Sequence, residues 1–153
     1  MYKRILVPLE HSAYDVAIVE HVRMLANACG ASLVLMHVAD GWAARNVKQL
    51  NLRESEEMRL DREYLELTCA SLEADGLQVE CLLAGGEPSK EITDAAAREH
   101  CDLIAMSTHG HRFIKDMLYG SVANEVRHQS RIPVLLVRGE RGDRKSGPQV
   151  AVS

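Results

Sequence analysis

Five short apolar runs punctuate the chain, and most of the stretches between them place apolar residues at helical spacing. Tyr2–Pro8 reads as a buried first strand ended by Pro8. Ser12 is a candidate helix N-cap, with Asp15 three residues on as a weak capping box. Ile18, Val22, Leu25 and Cys29 then share one helical face, and Gly30 suits the position just past the helix end. Ala31–Val38 is almost continuously apolar, the mark of a strand covered on both faces. Ala39–Val47 carries neither period. From about Lys48 to Asp75 the chain is rich in Glu, Arg and Leu. There Met58, Leu65, Cys69 and Leu72 form a sparse stripe, and Gly76 closes the helix.

The second half repeats the scheme. Leu77–Ala84 alternates more than the other runs, as an edge strand does. Pro88 suits a first helical position, and Ile92, Ala95, Ala96 and Glu99 mark a short helix. Cys101–Met106 reads as a fourth strand, roughly Gly120–Gln129 as a helix and Ile132–Val137 as a last strand, with Pro133 favouring an edge. Strand and helix alternate four times before that strand. The pattern predicts a single α/β domain over 1–138, an open five-stranded parallel sheet with helices on both faces and right-handed crossovers. Residues 139–153 read as a polar C-terminal tail.

Composition narrows the class. The 153 residues are 46% hydrophobic and 26% charged, an ordinary globular balance. A net charge of −4 and only 4% aromatic residues argue against nucleic acid as partner. No run reaches the length of a signal-peptide core or a membrane span, so a cytoplasmic protein is expected. Cys29, Cys69, Cys81 and Cys101 form no C-x-x-C pair and read as small buried hydrophobes in a reducing compartment.

The chemistry concentrates after the fourth apolar run. In an open parallel sheet, ligands bind outside the carboxyl ends of the strands where their order reverses. With the order 3-2-1-4-5, Glu10 and the Ser107–Gly110 loop face each other across that crevice. Gly110 and Gly120 free the backbone to approach an anion, and Ser121 adds a hydroxyl at a helix entrance. Arg112 and Lys115 can add charge to a polyphosphate, and His109 and His111 can donate hydrogen bonds. The same glycines also serve as plain turn and cap residues. His109 and His111, with His11 as a third ligand, are a minor candidate for a metal site. His37 reads as a satisfied structural histidine. No Walker loop, G-x-G-x-x-G, G-x-S-x-G or H-E-x-x-H is present. No general base with an orienting partner is evident, so a weak ATPase is the most catalysis expected.

Ser107-Thr-His-Gly110, nine residues, then Gly120-Ser121 resembles the nucleotide signature G-x-x-G-x9-G-[S/T] of the universal stress proteins. Ile5–Pro8, His37-Val38, Gly86-Glu-Pro88 and Pro133–Val137 extend the resemblance over about Tyr2 to Arg138. It implies an adenine nucleotide alpha-hydrolase-like fold, a homodimer formed through Ile132–Val137 and a role as stress-response sensor or regulator. The implied ligand is ATP or AMP, with Mg as companion ion. Pro8, Leu9 and Glu10 would line the adenine and ribose side, and Val38 the base. Met106 and Ser107 would lie under the ribose. Gly110 and Gly120 would frame phosphates contacted by Ser121 and Val122. The chain departs from the pattern twice: Ser107 replaces the first glycine of the signature, and Glu10 stands where nucleotide binders commonly have aspartate. A family member that binds no nucleotide and works by protein interaction is the alternative reading.

Overall fold

The structure is a computed structural model that describes residues 1–40, 56–109 and 117–139; the side chains of Asp40, His109 and residues 117–120 lie outside that description. Its elements run β1 (Arg4–Pro8), α1 (Asp15–Cys29), β2 (Ser32–Asp40), α2 (Glu56–Ala74), β3 (Val79–Gly86), α3 (Pro88–Arg98), β4 (Leu103–His109), α4 (Met117–Gln129) and β5 (Val134–Gly139). The five strands form one sheet in the order β3-β2-β1-β4-β5, with every neighbouring pair parallel. The expected topology is therefore observed, with β3 and β5 at the edges.

Side-chain alternation along the central strands builds a core on each face. Ile5, Val7, Leu33, Leu35, Leu103 and Ala105 pack with Ile18, Val22 and Ala26 of α1 and Leu65 and Leu72 of α2. Their neighbours Leu6, Val34, Met36, Ile104 and Met106 pack with Ile92, Ala95 and Ala96 of α3 and Ala123 and Val126 of α4. A strand covered on both sides has no polar face, which is why its sequence reads as a continuous apolar run.

Several boundaries differ from the apolar pattern, and for one reason. From β2 onward the last four strands run at least two residues past their expected ends, so that Asp40 pairs with Gly86 and His109 with Gly139. The ladder needs only backbone, so it continues into polar residues and glycines at the carboxyl ends. The apolar residues at the other ends, Leu77 and Cys101, are buried in the turns that lead into the sheet. Likewise α4 begins at Met117, not at Gly120. Met117, Leu118 and Tyr119 contain no helix breaker, and a glycine inside a helix costs only about 1 kcal/mol.

Two readings are corrected. Ser12 is not the N-cap of α1; Tyr14 is, and it makes no side-chain cap. Cys69 of α2 and Cys81 of β3 are joined as a disulfide with a Cα–Cα distance of 6.6 Å. The stripe that buries Cys69 lays α2 against the edge strand, a proximity that a separation of 12 residues does not reveal. Cys101 does behave as a buried hydrophobe: burial pushes its thiol up to about 11, so it stays protonated.

Glu87 caps α3 through its carboxylate, which accepts from the Ser89 amide (3.3 Å) and the Lys90 amide (2.9 Å) and from the Ser89 hydroxyl (2.8 Å). The Ser89 hydroxyl, and then the Lys90 amide, hold this carboxyl below its ordinary 4.5. A depressed carboxyl stabilises the fold fully above its unfolded value and loses that contribution as pH falls through the folded one. Glu87→Ala is expected to cost about 1 kcal/mol at neutral pH. In urea denaturation the difference from wild type should close as pH drops below 4.5.

Candidate functional site

A crevice of about 880 Å³ opens across the carboxyl ends of β1, β2 and β4. Its floor is Pro8, Leu9, Val38, Met106 and Ser107. Glu10 and His11 from the β1–α1 turn and Glu57, Leu60 and Asp61 from α2 contribute on one side. Ser121, Val122 and Glu125 of α4 stand on the other, with Glu87, Pro88 and Ile92 between them along the rim.

The β1–α1 turn is built on Asp15. This carboxylate is 1% exposed and accepts four hydrogen bonds. The amides of Glu10 (3.0 Å), His11 (2.8 Å) and Ser12 (3.2 Å) donate to it, and so does the Tyr64 hydroxyl of α2 (2.7 Å). The Ser12 contact is the half of the expected capping box that exists. Burial and then the neighbouring Asp15 carboxylate push the Tyr64 phenol up, so it remains a donor. Wrapping three amides around one carboxylate forces a tight turn, and His11 sits in the left-handed region at φ 62°. Leu9 returns its amide to the Met36 carbonyl (2.7 Å), which fixes the mouth of β1 against β2.

A second group of polar side chains lies beside this turn. Asp61 of α2 holds the Nδ1 of His11 at 2.6 Å and the Nε2 of His37 at 3.3 Å. The Nδ1 of His37 donates to the Leu9 carbonyl at 2.8 Å. The His11 ring stacks on Tyr64 with centroids 4.2 Å apart. His37 is thus satisfied as expected, but it also lines the crevice.

Ser107 resolves one of the two departures from the signature. Its hydroxyl donates to the Tyr14 carbonyl at 3.5 Å, on the α1 side of the sheet, while the residue lines the crevice floor. A Cβ on the facing Gly139 would stand 2.7 Å from that hydroxyl and 3.0 Å from the Cβ of Tyr14, so glycine is required there. The serine is accommodated by the missing side chain of β5. Glu10, the other departure, lines the crevice and accepts from the Ser12 hydroxyl at 3.2 Å.

Of the expected site residues, Pro8, Leu9, Glu10, Val38, Met106, Ser107, Ser121 and Val122 all line this one crevice. His109 ends β4, and Gly120 lies in the first turn of α4 instead of opening the helix. Gly110, His111 and Arg112 lie outside the described residues, as does Lys115. Sequence reasoning missed His11 as a wall residue, together with Asp61, Glu57, Leu60 and Glu125. Asp61 had a signal: it falls on the same face of α2 as Leu65 and Leu72, where a solvated charge is not expected. It also supplies an orienting partner for a histidine, which sequence reasoning did not find. The lining is acidic, with Glu10, Glu57, Asp61, Glu87 and Glu125 against only two histidines among the described residues. No three potential ligands among the described residues are grouped to hold a metal ion. No described helix is long and apolar enough to cross a membrane.

Comparison with known proteins settles the family. A profile of the universal stress protein family matches residues 1–138. The chain belongs to the universal stress protein family. Universal stress protein MJ0577 of Methanocaldococcus jannaschii is 29% identical over 155 residues, covering 90% of this chain and 96% of that protein. The solved structure of MJ0577 superposes with a TM-score of 0.78 over 93% of this chain and 99% of its own. Two further solved relatives show the fold alone. One is a universal stress protein in complex with cAMP (21% identity, TM-score 0.67, 90% and 97% coverage). The other is the Archaeoglobus fulgidus protein in complex with dAMP (22% identity, TM-score 0.64, 88% and 97% coverage).

The Asp15 cluster predicts a large stability effect at a residue that does not itself line the crevice. Asp15→Ala would leave three turn amides and a phenol without their acceptor, at a cost of about 3 kcal/mol. Equilibrium denaturation in urea measures it, and a cost within 0.5 kcal/mol of zero, about that of an ordinary surface substitution, would contradict the cluster's role.

Proposed function

We propose that this universal stress protein binds an adenine nucleotide, AMP or ATP, in the crevice and acts as a stress-response regulator whose surface depends on occupancy. One observation carries the reading: eight of the expected site residues, Pro8, Leu9, Glu10, Val38, Met106, Ser107, Ser121 and Val122, line a single crevice at the switch point of the sheet. The base would rest on Pro8, Val38 and Met106. The ribose would lie over Ser107 with its hydroxyls toward Glu10. The phosphate would meet the amino-terminal turn of α4, where partial positive charge collects, beside Ser121 and Val122. That relatives of this fold are solved with cAMP and dAMP supports the choice of ligand class.

The acidic lining constrains the phosphate end. A monophosphate can sit on the helix terminus alone, whereas a polyphosphate brings more charge toward Glu125 and its neighbours. Magnesium is therefore expected to arrive on ATP and to offset that repulsion, without a metal site of the protein's own. The same acidity is what favours the rival reading, a family member that binds no nucleotide. The open β5 edge, where Leu136 is exposed, is the surface proposed for a homodimer. A mass near 17.0 kDa in sedimentation would contradict it.

Gly120→Asp tests the phosphate end. It places a carboxylate in the first turn of α4, and calorimetry with AMP and Mg-ATP should show binding abolished in a variant that retains its circular dichroism. Affinity retained within a factor of about three, some 0.6 kcal/mol, would move the phosphate elsewhere.

A further inference from the structure

We propose that His11 is the hydrogen-bond acceptor that reads the 6-amino group of the bound purine, and that Asp61 holds it in the tautomer this requires. The inference rests on the nucleotide reading above and adds a specificity determinant to it.

The proton inventory of the cluster fixes the tautomer. The Leu9 carbonyl can only accept, so the Nδ1 of His37 carries a proton. The Nε2 of His37 faces Oδ2 of Asp61 at 3.3 Å, which leaves Oδ1 of Asp61 as the acceptor on the His11 side. His11 must then donate to it from Nδ1, across 2.6 Å. The neutral His11 ring consequently keeps its lone pair on Nε2, which has no hydrogen-bond partner among the described residues. The ring cannot easily turn to exchange the two nitrogens. Tyr64 stacks on it, and Asp15 pins its backbone amide at 2.8 Å. A partner on one nitrogen thus orients the other toward its task, as carboxylates do for metal-bound and catalytic histidines.

The fold decides which part of the ligand meets this acceptor. In the order β3-β2-β1-β4-β5, α4 packs on the β4 side of the sheet, whereas His11, His37 and Asp61 gather at the ends of β1 and β2. A nucleotide with its phosphate on α4 places its base on the His11 wall. A fixed acceptor there favours the amino group of adenine. It leaves the 6-oxo group of hypoxanthine facing a second lone pair, a mismatch that specific sites use to reject close analogues.

Calorimetry at pH 8, above the ordinary histidine range, with AMP and IMP as probes reads the discrimination directly. Wild type should bind AMP at least about tenfold more tightly than IMP. His11→Asn, chosen because asparagine tolerates the left-handed backbone, should bring the ratio toward one. Asp61→Ala should do the same by releasing the ring. Asp61→Asn should keep the ratio, since its amide oxygen accepts from His11 while its amino group donates to a neutral His37. Equal affinities in wild type would overturn the proposal. So would a His11→Asn protein that weakens both ligands equally, which places the imidazole on the ribose or the scaffold. A wild type that binds neither nucleotide removes the nucleotide reading as well, whereas AMP binding with an unmoved ratio removes only the role of His11.

Discussion

The site depends on one buried carboxylate. Asp15 is among the few polar side chains inside the described fold, and it remains there because four donors surround it. Three of those donors are successive amides of the turn after β1. They set the curvature that carries Glu10 to the crevice and puts His11 in a left-handed conformation. The fourth, the Tyr64 hydroxyl, ties α2 to the same point. The wall of the crevice is therefore assembled from sheet, turn and helix by a single anion, and side chains far apart in sequence are held at fixed separations. Such preorganisation is what a recognition site needs from its scaffold.

Much of the fold was legible because both faces of a parallel sheet are covered. That burial writes each central strand as an apolar run, and Gly30, Gly76 and Pro88 mark helix ends by their backbone demands. The functional ends of the same strands were less legible. Hydrophobicity stops where the site begins, so Thr108-His109 and Arg138-Gly139 read as loop although they pair as strand. Gly120 suggested a helix start because its packing alternatives are invisible in sequence. The Cys69–Cys81 link and the His11–Asp61–His37 group depend on how α2 lies on the sheet, which periodicity along α2 does not specify. Ser107 shows the reverse case: a departure from the family signature was visible, but its compensation by Gly139 on the neighbouring strand was not.

The electrostatics of the crevice divide it into two regions. On the α4 side Ser121 and Val122 stand in the second turn of a helix that begins at Met117, with Glu125 one turn beyond them. The α2 side offers carboxylates that are largely committed: Asp61 to two histidines, and on the rim Glu87 to the cap of α3. What remains open to a ligand on that side is an apolar floor with oriented hydrogen-bonding groups at its edge. An aromatic base that carries an amino group matches such a surface better than a second phosphate does. Under the proposed reading, that polarity gives a nucleotide one direction in which to lie.

Backbone amide shifts on titration with AMP, followed by NMR in the full-length protein, test the central claim most directly. The account predicts saturable shifts at Glu10, His11, Val38, Ser107, Ser121 and Val122, with Ser32, Leu77 and Gln78 at the amino end of the sheet unmoved. Shifts centred on that opposite end, or none at millimolar AMP, would contradict it.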